Sequence, residues 1–165
     1  MLSRDQTKTA SRIDLRASEG HLGPGTKNFG RWLTGARKMG KLFDFFKGHY
    51  ASQFSSKDDE KPLAQLLEEA EAYYAPMLPK KADADTRLDS VEVTNTTFTM
   101  HSTLITMARE DLEGLDFGAE MRPILQQEAR RVKRLGRILA KGGTLIYTYA
   151  DMNGESVAEV RLSAD

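Results

Sequence analysis

Apolar positions along this chain change period twice, and the changes divide it into regions. Over residues 28–54, Phe29, Trp32, Leu33, Ala36, Phe43, Phe46, Tyr50 and Phe54 recur at spacings of three, four and seven, the mark of one helical face. Leu42 and Phe45 widen that stripe, while Arg31, Lys38, Lys41 and Lys47 fall towards the other side. Gly30, Gly35, Gly40 and Gly48 each cost roughly 1 kcal/mol of helix propensity. Such a helix forms only when its aromatic face finds a surface. A charged linker at 55–61 leads to Pro62, and Leu63, Leu66, Leu67, Ala70, Tyr73 and Tyr74 keep the helical period until Pro76 and Pro79 end it.

From Leu88 the rhythm becomes that of a strand. Thr97, Thr99, His101 and Thr103 alternate with Phe98, Met100, Ser102 and Leu104, after a strand through Val91 and Val93 and a turn near Asn95-Thr96. A break at Glu113-Gly114 precedes one long helix over about 117–141, with Met121, Ile124, Leu125, Val132, Leu135, Ile138 and Leu139 as its stripe. Asp116 is its candidate N-cap, and Gly142-Gly143 is its stop. Thr144–Ala150 and Ser156–Leu162 read as strands around Asn153-Gly154, a strong hairpin signal. The expected fold is therefore α+β: a four-stranded, mostly antiparallel ββαββ sheet with one long helix on a face, behind an N-terminal helical segment. The expected division is a flexible polar arm at 1–27, a basic aromatic helix plus an acidic helix at 28–81, and the ββαββ domain at 82–165.

Composition narrows the function classes. The 165 residues carry 24 basic and 24 acidic side chains, so attraction to nucleic acid or anionic lipid must come from local asymmetry. Two regions have it. Lys27 to Lys47 holds six basic residues against Asp44, and Arg130, Arg131, Lys133, Arg134, Arg137 and Lys141 crowd the end of the long helix. Capping of the helix dipole accounts for part of the second cluster, and the acidic stretch 58–71 is its obvious internal partner. With no cysteine, the chain has no disulfide, thiol nucleophile or thiolate site, which points to a reducing compartment. Arg4, Lys8, Arg12 and Arg16 without an apolar core do not make a secretory signal, and no run of eighteen apolar residues occurs.

Candidate chemistry is sparse. His21, His49 and His101 lie far apart without partners at metal-ligand spacing. Asp83, Asp85 and Asp89 fail as a calcium loop, because Arg87, Leu88 and Thr94 occupy positions that need a ligand, a glycine and a glutamate. His101 has threonines on its own strand but no third group to orient it. The pairs Glu68/Glu69 and Glu110/Asp111 diverge and read as solubility. No cofactor or metal is expected, and an enzyme ranks last among the readings.

The C-terminal pattern resembles a broad group of small uncharacterised bacterial ββαββ domains. Leu78-Pro79, a following Asp83 or Asp85, and Thr86-x-Leu88 make the opening; Gly142 or Gly143, Tyr147-x-Tyr149-x-Asp151 and Gly154 make the closing hairpin. The resemblance implies a fold but no activity. The leading expectation is a non-enzymatic protein-interaction or adaptor module of bacterial or mobile-element origin. It would be cytoplasmic or peripheral at the inner membrane, anchored through Trp32, Phe43, Phe46 and Phe54 of the aromatic helix. Two alternatives remain: a peripheral membrane protein using 28–54 on anionic lipid, and a nucleic-acid binder using Arg130, Arg131, Arg134, Arg137 and Lys141.

Overall fold

A computed structural model describes residues 60–164, so the basic aromatic segment 28–54, with Trp32, Phe43, Phe46 and Phe54, lies outside the described residues. Helix α1 spans Leu63–Tyr74 behind Pro62, whose fixed φ of −67° suits a helix start. A 3-10 turn at Ala75–Met77 follows, then strands β1 (Lys80–Lys81), β2 (Thr86–Val93) and β3 (Thr97–Leu104). After a 3-10 turn at Arg109–Leu112 come helices α2 (Phe117–Arg131) and α3 (Lys133–Ala140), then β4 (Thr144–Ala150) and β5 (Ser156–Leu162).

The class is α+β, as the period changes indicate, but the sheet departs from the expected four mostly antiparallel strands. Among the described residues it has five strands in the order β1-β2-β3-β4-β5, and its central pair, β3 and β4, is parallel. The physical reason is the crossover. After Leu104 the chain runs back across the sheet face as α2 and α3, so β4 must start beside the beginning of β3, with Thr144 opposite Thr97. Hairpin signals within β2–β3 and β4–β5 carry no information on how the two hairpins join. The extra strand, β1, is two residues long and pairs Lys80 with Leu88 and Lys81 with Arg87. Short lysine-bearing edges resist further pairing.

The expected single helix over 117–141 is two helices. Val132 has φ −85° and ψ 101°, an extended geometry that separates α2 from α3. A continuous helix would stack Arg130, Arg131, Lys133 and Arg134 within two turns, and a β-branched residue at the junction is a weak helix former. The turn lets Leu135 and Ile138 reach the core with no exposed surface. Both ends of the pair are capped as the sequence indicates. Asp116 Oδ1 accepts from the Ala119 N–H at 2.9 Å. Beyond α3, Gly142 at φ +79° lets the Gly143 N–H reach Ile138 O and the Gly142 N–H reach Leu139 O, each at 2.9 Å.

Helices α1, α2 and α3 contribute to one core against one sheet face: Leu67 and Tyr74 from α1, Met121 and Ala129 from α2, Leu135 and Ile138 from α3, and Phe98, Met100, Leu104, Leu145, Tyr147 and Val160 from the strands. Tyr147 and Tyr149 of the Tyr-x-Tyr-x-Asp pattern are buried here, and Asp151 is buried in the turn beyond them. These positions build the fold. The other face carries Thr97, Thr99, His101 and Thr103, all half-buried.

Candidate functional site

Three regions of the described structure gather polar chemistry, and the largest begins with a buried carboxylate. Asp151 Oδ1 accepts from the N–H groups of Asn153 and Glu155, each at 2.8 Å. Its Oδ2 accepts from the Arg109 N–H at 3.0 Å and from Asn153 Nδ2 at 3.3 Å. Burial alone would raise this acid; the donors at Glu155, Arg109 and Asn153 outweigh it and hold the carboxyl below its ordinary value of 3.8. The Met152 N–H donates to Met107 O at 3.0 Å. The 151–155 turn is thus tied to the chain leaving β3.

This tie shapes a cleft. Gly114 at φ +81° reverses the backbone, a conformation few side chains tolerate, and returns it to the start of α2. Between the 109–116 connection, the first residues of α2 and the start of β5 lies an opening of about 580 Å³. Leu112, Leu115, Phe117 and Val157 give it an apolar floor, and Phe117 is braced edge-on against Tyr149 with ring centres 5.1 Å apart. A second opening of about 560 Å³ shares Leu115, Phe117 and Val157 and continues past Gly118 and Ala158, so the groove follows β5. Glu110, Glu113, Glu155 and Glu159 on the rim are exposed, with Arg109 as the opposing charge beside them. Met152, in the adjoining turn, is 55% exposed. Because β5 ends the strand order, its outer edge borders the groove; Arg122 Nη1 donates to the Arg161 carbonyl there at 2.8 Å. An apolar floor, an acidic rim and a strand edge can hold an apolar or aromatic side chain flanked by cations.

The second region is the open sheet face. His101 Nδ1 lies 2.8 Å from Thr148 Oγ1, and its Nε2 lies 3.6 Å from Glu92 Oε2. An orienting group is therefore present, contrary to the sequence reading, and the hydroxyl comes from β4 instead of the histidine's own strand. The order acid–histidine–hydroxyl matches that of a nucleophilic triad, but β3 and β4 each lie between two strands that engage their amides. The main chain at this point cannot offer an oxyanion hole. Beside it Thr103 Oγ1 donates to Asp89 Oδ2 at 2.6 Å, and Arg87 pairs with the same carboxylate. The face is a connected polar network.

The third region is the basic cluster, which the break at Val132 divides. Arg130 and Arg131 end α2, Arg134 and Arg137 lie on α3, and Lys141 follows α3. Arg130, Arg131 and Lys141 are exposed, whereas Arg134 and Arg137 are half-buried. Arg131 Nη1 bonds the buried Glu128 Oε1 at 3.0 Å, and the Arg134 guanidinium lies 4.3 Å from the Tyr73 ring centre. α1 therefore meets this cluster through an aromatic ring. Of its carboxylates, Glu69 pairs with Lys61 at 2.7 Å. Among the described residues no group of three or more His, Asp or Glu side chains is placed to hold a metal, and no helix is long and apolar enough to cross a membrane.

Sequence reasoning missed the cleft because its residues are separated by some 40 positions and its acids read as solubilising. Two signals were available: the Gly114 break and the terminal position of β5.

No family model matches the sequence, and no curated protein matches it. The fold is similar to that of two solved structures. One, a Pseudomonas aeruginosa protein described as secreted, has a TM-score of 0.54 at 20% identity over 67% of this chain and 96% of that one. The other is the type 2 secretion system pilotin EpsS of Vibrio vulnificus, with a TM-score of 0.51 at 11% identity over 66% of this chain and 94% of that one. At these identities the likeness is one of fold.

Proposed function

We propose that this protein is a non-enzymatic interaction module, an adaptor that receives a protein partner in the cleft beside β5. The observation that carries this reading is the cleft itself: an apolar floor with fixed walls, an acidic rim and a strand edge, all on one side of a rigid sheet. The fold likeness supports it, because EpsS, which shares the fold, is a pilotin of a type 2 secretion system. The aromatic segment 28–54 supplies the second contact, with Trp32, Phe43, Phe46 and Phe54 as its anchors. The partner would be a protein segment with apolar or aromatic side chains among lysines and arginines, as the rim demands.

A photo-activated cross-linker placed at Val157 or Glu113 of the full chain, in the cells that make it, tests this. The expected result is one defined protein adduct from both positions and none from Arg87 on the opposite face, with the purified partner binding the unaltered chain and losing affinity for a Val157→Lys variant. Equal labelling from all three positions, or none from the cleft, overturns the reading.

A further inference from the structure

We infer that residues 28–54 of the same chain occupy the cleft beside β5, so that the protein covers its own binding surface until a partner displaces them. This rests on the reading of the cleft as a binding surface, and three observations lead to it.

Charge is the first. Glu110, Glu113 and Glu155 are exposed around the opening, and Glu159 extends the acidic side along β5. The segment from Lys27 to Lys47 holds six basic residues and one acid in a chain whose overall charge is zero. An acidic cleft and a cationic segment in a chain of zero net charge place complementary surfaces in the same molecule.

Side-chain chemistry is the second. Leu112, Leu115, Phe117 and Val157 line the opening. Trp32 follows Arg31 directly, and Phe43 and Phe46 stand between Lys41 and Lys47. An aromatic ring on that floor brings a cation to the glutamate rim within a residue or a helical turn.

Reach is the third. Leu63, at the start of α1, lies against Gly143, one residue before β4, and the cleft lies beside the far end of β4, where Ala150 pairs with Ser156. The seven residues of β4 span about 23 Å. Residues 60–62 are held at the start of α1, with Lys61 paired to Glu69, and the twelve residues 48–59 before them can extend over roughly 40–43 Å. Residue 47 and the aromatic stretch before it can therefore arrive at the cleft without disturbing α1.

Trp32 is the only tryptophan, so the full chain reports on its own segment. The expected result is a Trp32 emission that is blue-shifted and shielded from acrylamide relative to the urea-unfolded chain, at every protein concentration. Replacing Glu110, Glu113 and Glu155 with lysine should move both readouts towards their unfolded values, while Glu92→Lys on the other sheet face leaves them unchanged. Should the triple variant not fold, raising salt on the unaltered protein is the substitute: the same red shift should appear while the far-ultraviolet circular dichroism stays constant. Solvent-exposed Trp32 in the unaltered chain, shielding that survives both charge reversal and salt, or shielding that grows with concentration each overturns the proposal; the last assigns the contact to a second copy. Exposed Trp32 with cross-linking from Val157 intact removes only this inference. Shielded and releasable Trp32 with no partner adduct removes only the adaptor reading.

Discussion

The main-chain N–H of Arg109 donates to the Asp151 carboxylate across 42 positions of sequence, at 3.0 Å. That bond joins the exit of β3 to the turn between β4 and β5, and both wall the same cleft. Since Asp151 also accepts from Asn153 and Glu155, one buried acid holds four donors in place.

The acid dependence of stability should reveal this carboxylate. Its folded-state value lies below the ordinary 3.8, so its contribution is complete above the unfolded value and is lost as pH falls through 3.8 towards the folded value. Asp151→Asn should lower the melting temperature at pH 7 and flatten its decline between pH 5 and acid conditions, as read by thermal melts across pH. A variant with an unchanged acid slope would remove Asp151 from this role.

Tyr147 behaves in the opposite sense. Burial first, then Tyr149, Tyr74 and Glu128, raises its phenol well above 10, so it keeps its proton in the folded state while an unfolded tyrosine releases one near 10. Its stabilising contribution is present below that value and is lost as pH rises through it towards the folded value. The hydroxyl has no hydrogen-bond partner among the described residues. Tyr147→Phe should therefore be neutral or stabilising by up to about 1 kcal/mol at pH 7, with a smaller loss of stability in alkali. Denaturant melts at neutral and alkaline pH check both statements.

The two glycines after α3 differ in kind. At Gly143 a Cβ would come within 2.7 Å of Ile138 Cγ2, 2.8 Å of Leu63 Cδ1 and 2.9 Å of the Ile138 carbonyl. At Gly142 nothing lies within 4 Å, and only its φ of +79° excludes other residues. Gly143→Ala should cost about 1–3 kcal/mol through overpacking. Gly142→Asn should be tolerated, because asparagine adopts the left-handed cap, whereas Gly143→Asn should not. Urea midpoints of the three variants separate these cases.

Leu135 tests the broken helix. It is fully buried in the core that α1, α2 and α3 share, so Leu135→Ala should cost about 2–5 kcal/mol. Its neighbour Arg134 instead lies over the Tyr73 ring of α1, 4.3 Å from its centre. Arg134→Met should lose only about 1 kcal/mol, the worth of a half-buried cation–π contact. Comparable losses for the two variants would contradict the packing.

The sequence by itself determined what depends on neighbours along the chain. The alternation through Thr97–Leu104, the Asp116 cap, the Gly142-Gly143 stop and the reversal at Gly114 are each set by a few adjacent residues and their φ/ψ preferences. Tertiary structure alone decided what depends on contacts across long separations. The parallel pairing of Thr97 with Thr144, the turn at Val132 that brings Leu135 under α1, the bond from Arg109 to Asp151, and the meeting of Glu113 with Val157 at one cleft are of this kind. Such contacts form because burying the face of α1–α3 on the sheet outweighs local preference, and a pattern of periods specifies which face is buried without specifying what it is buried against.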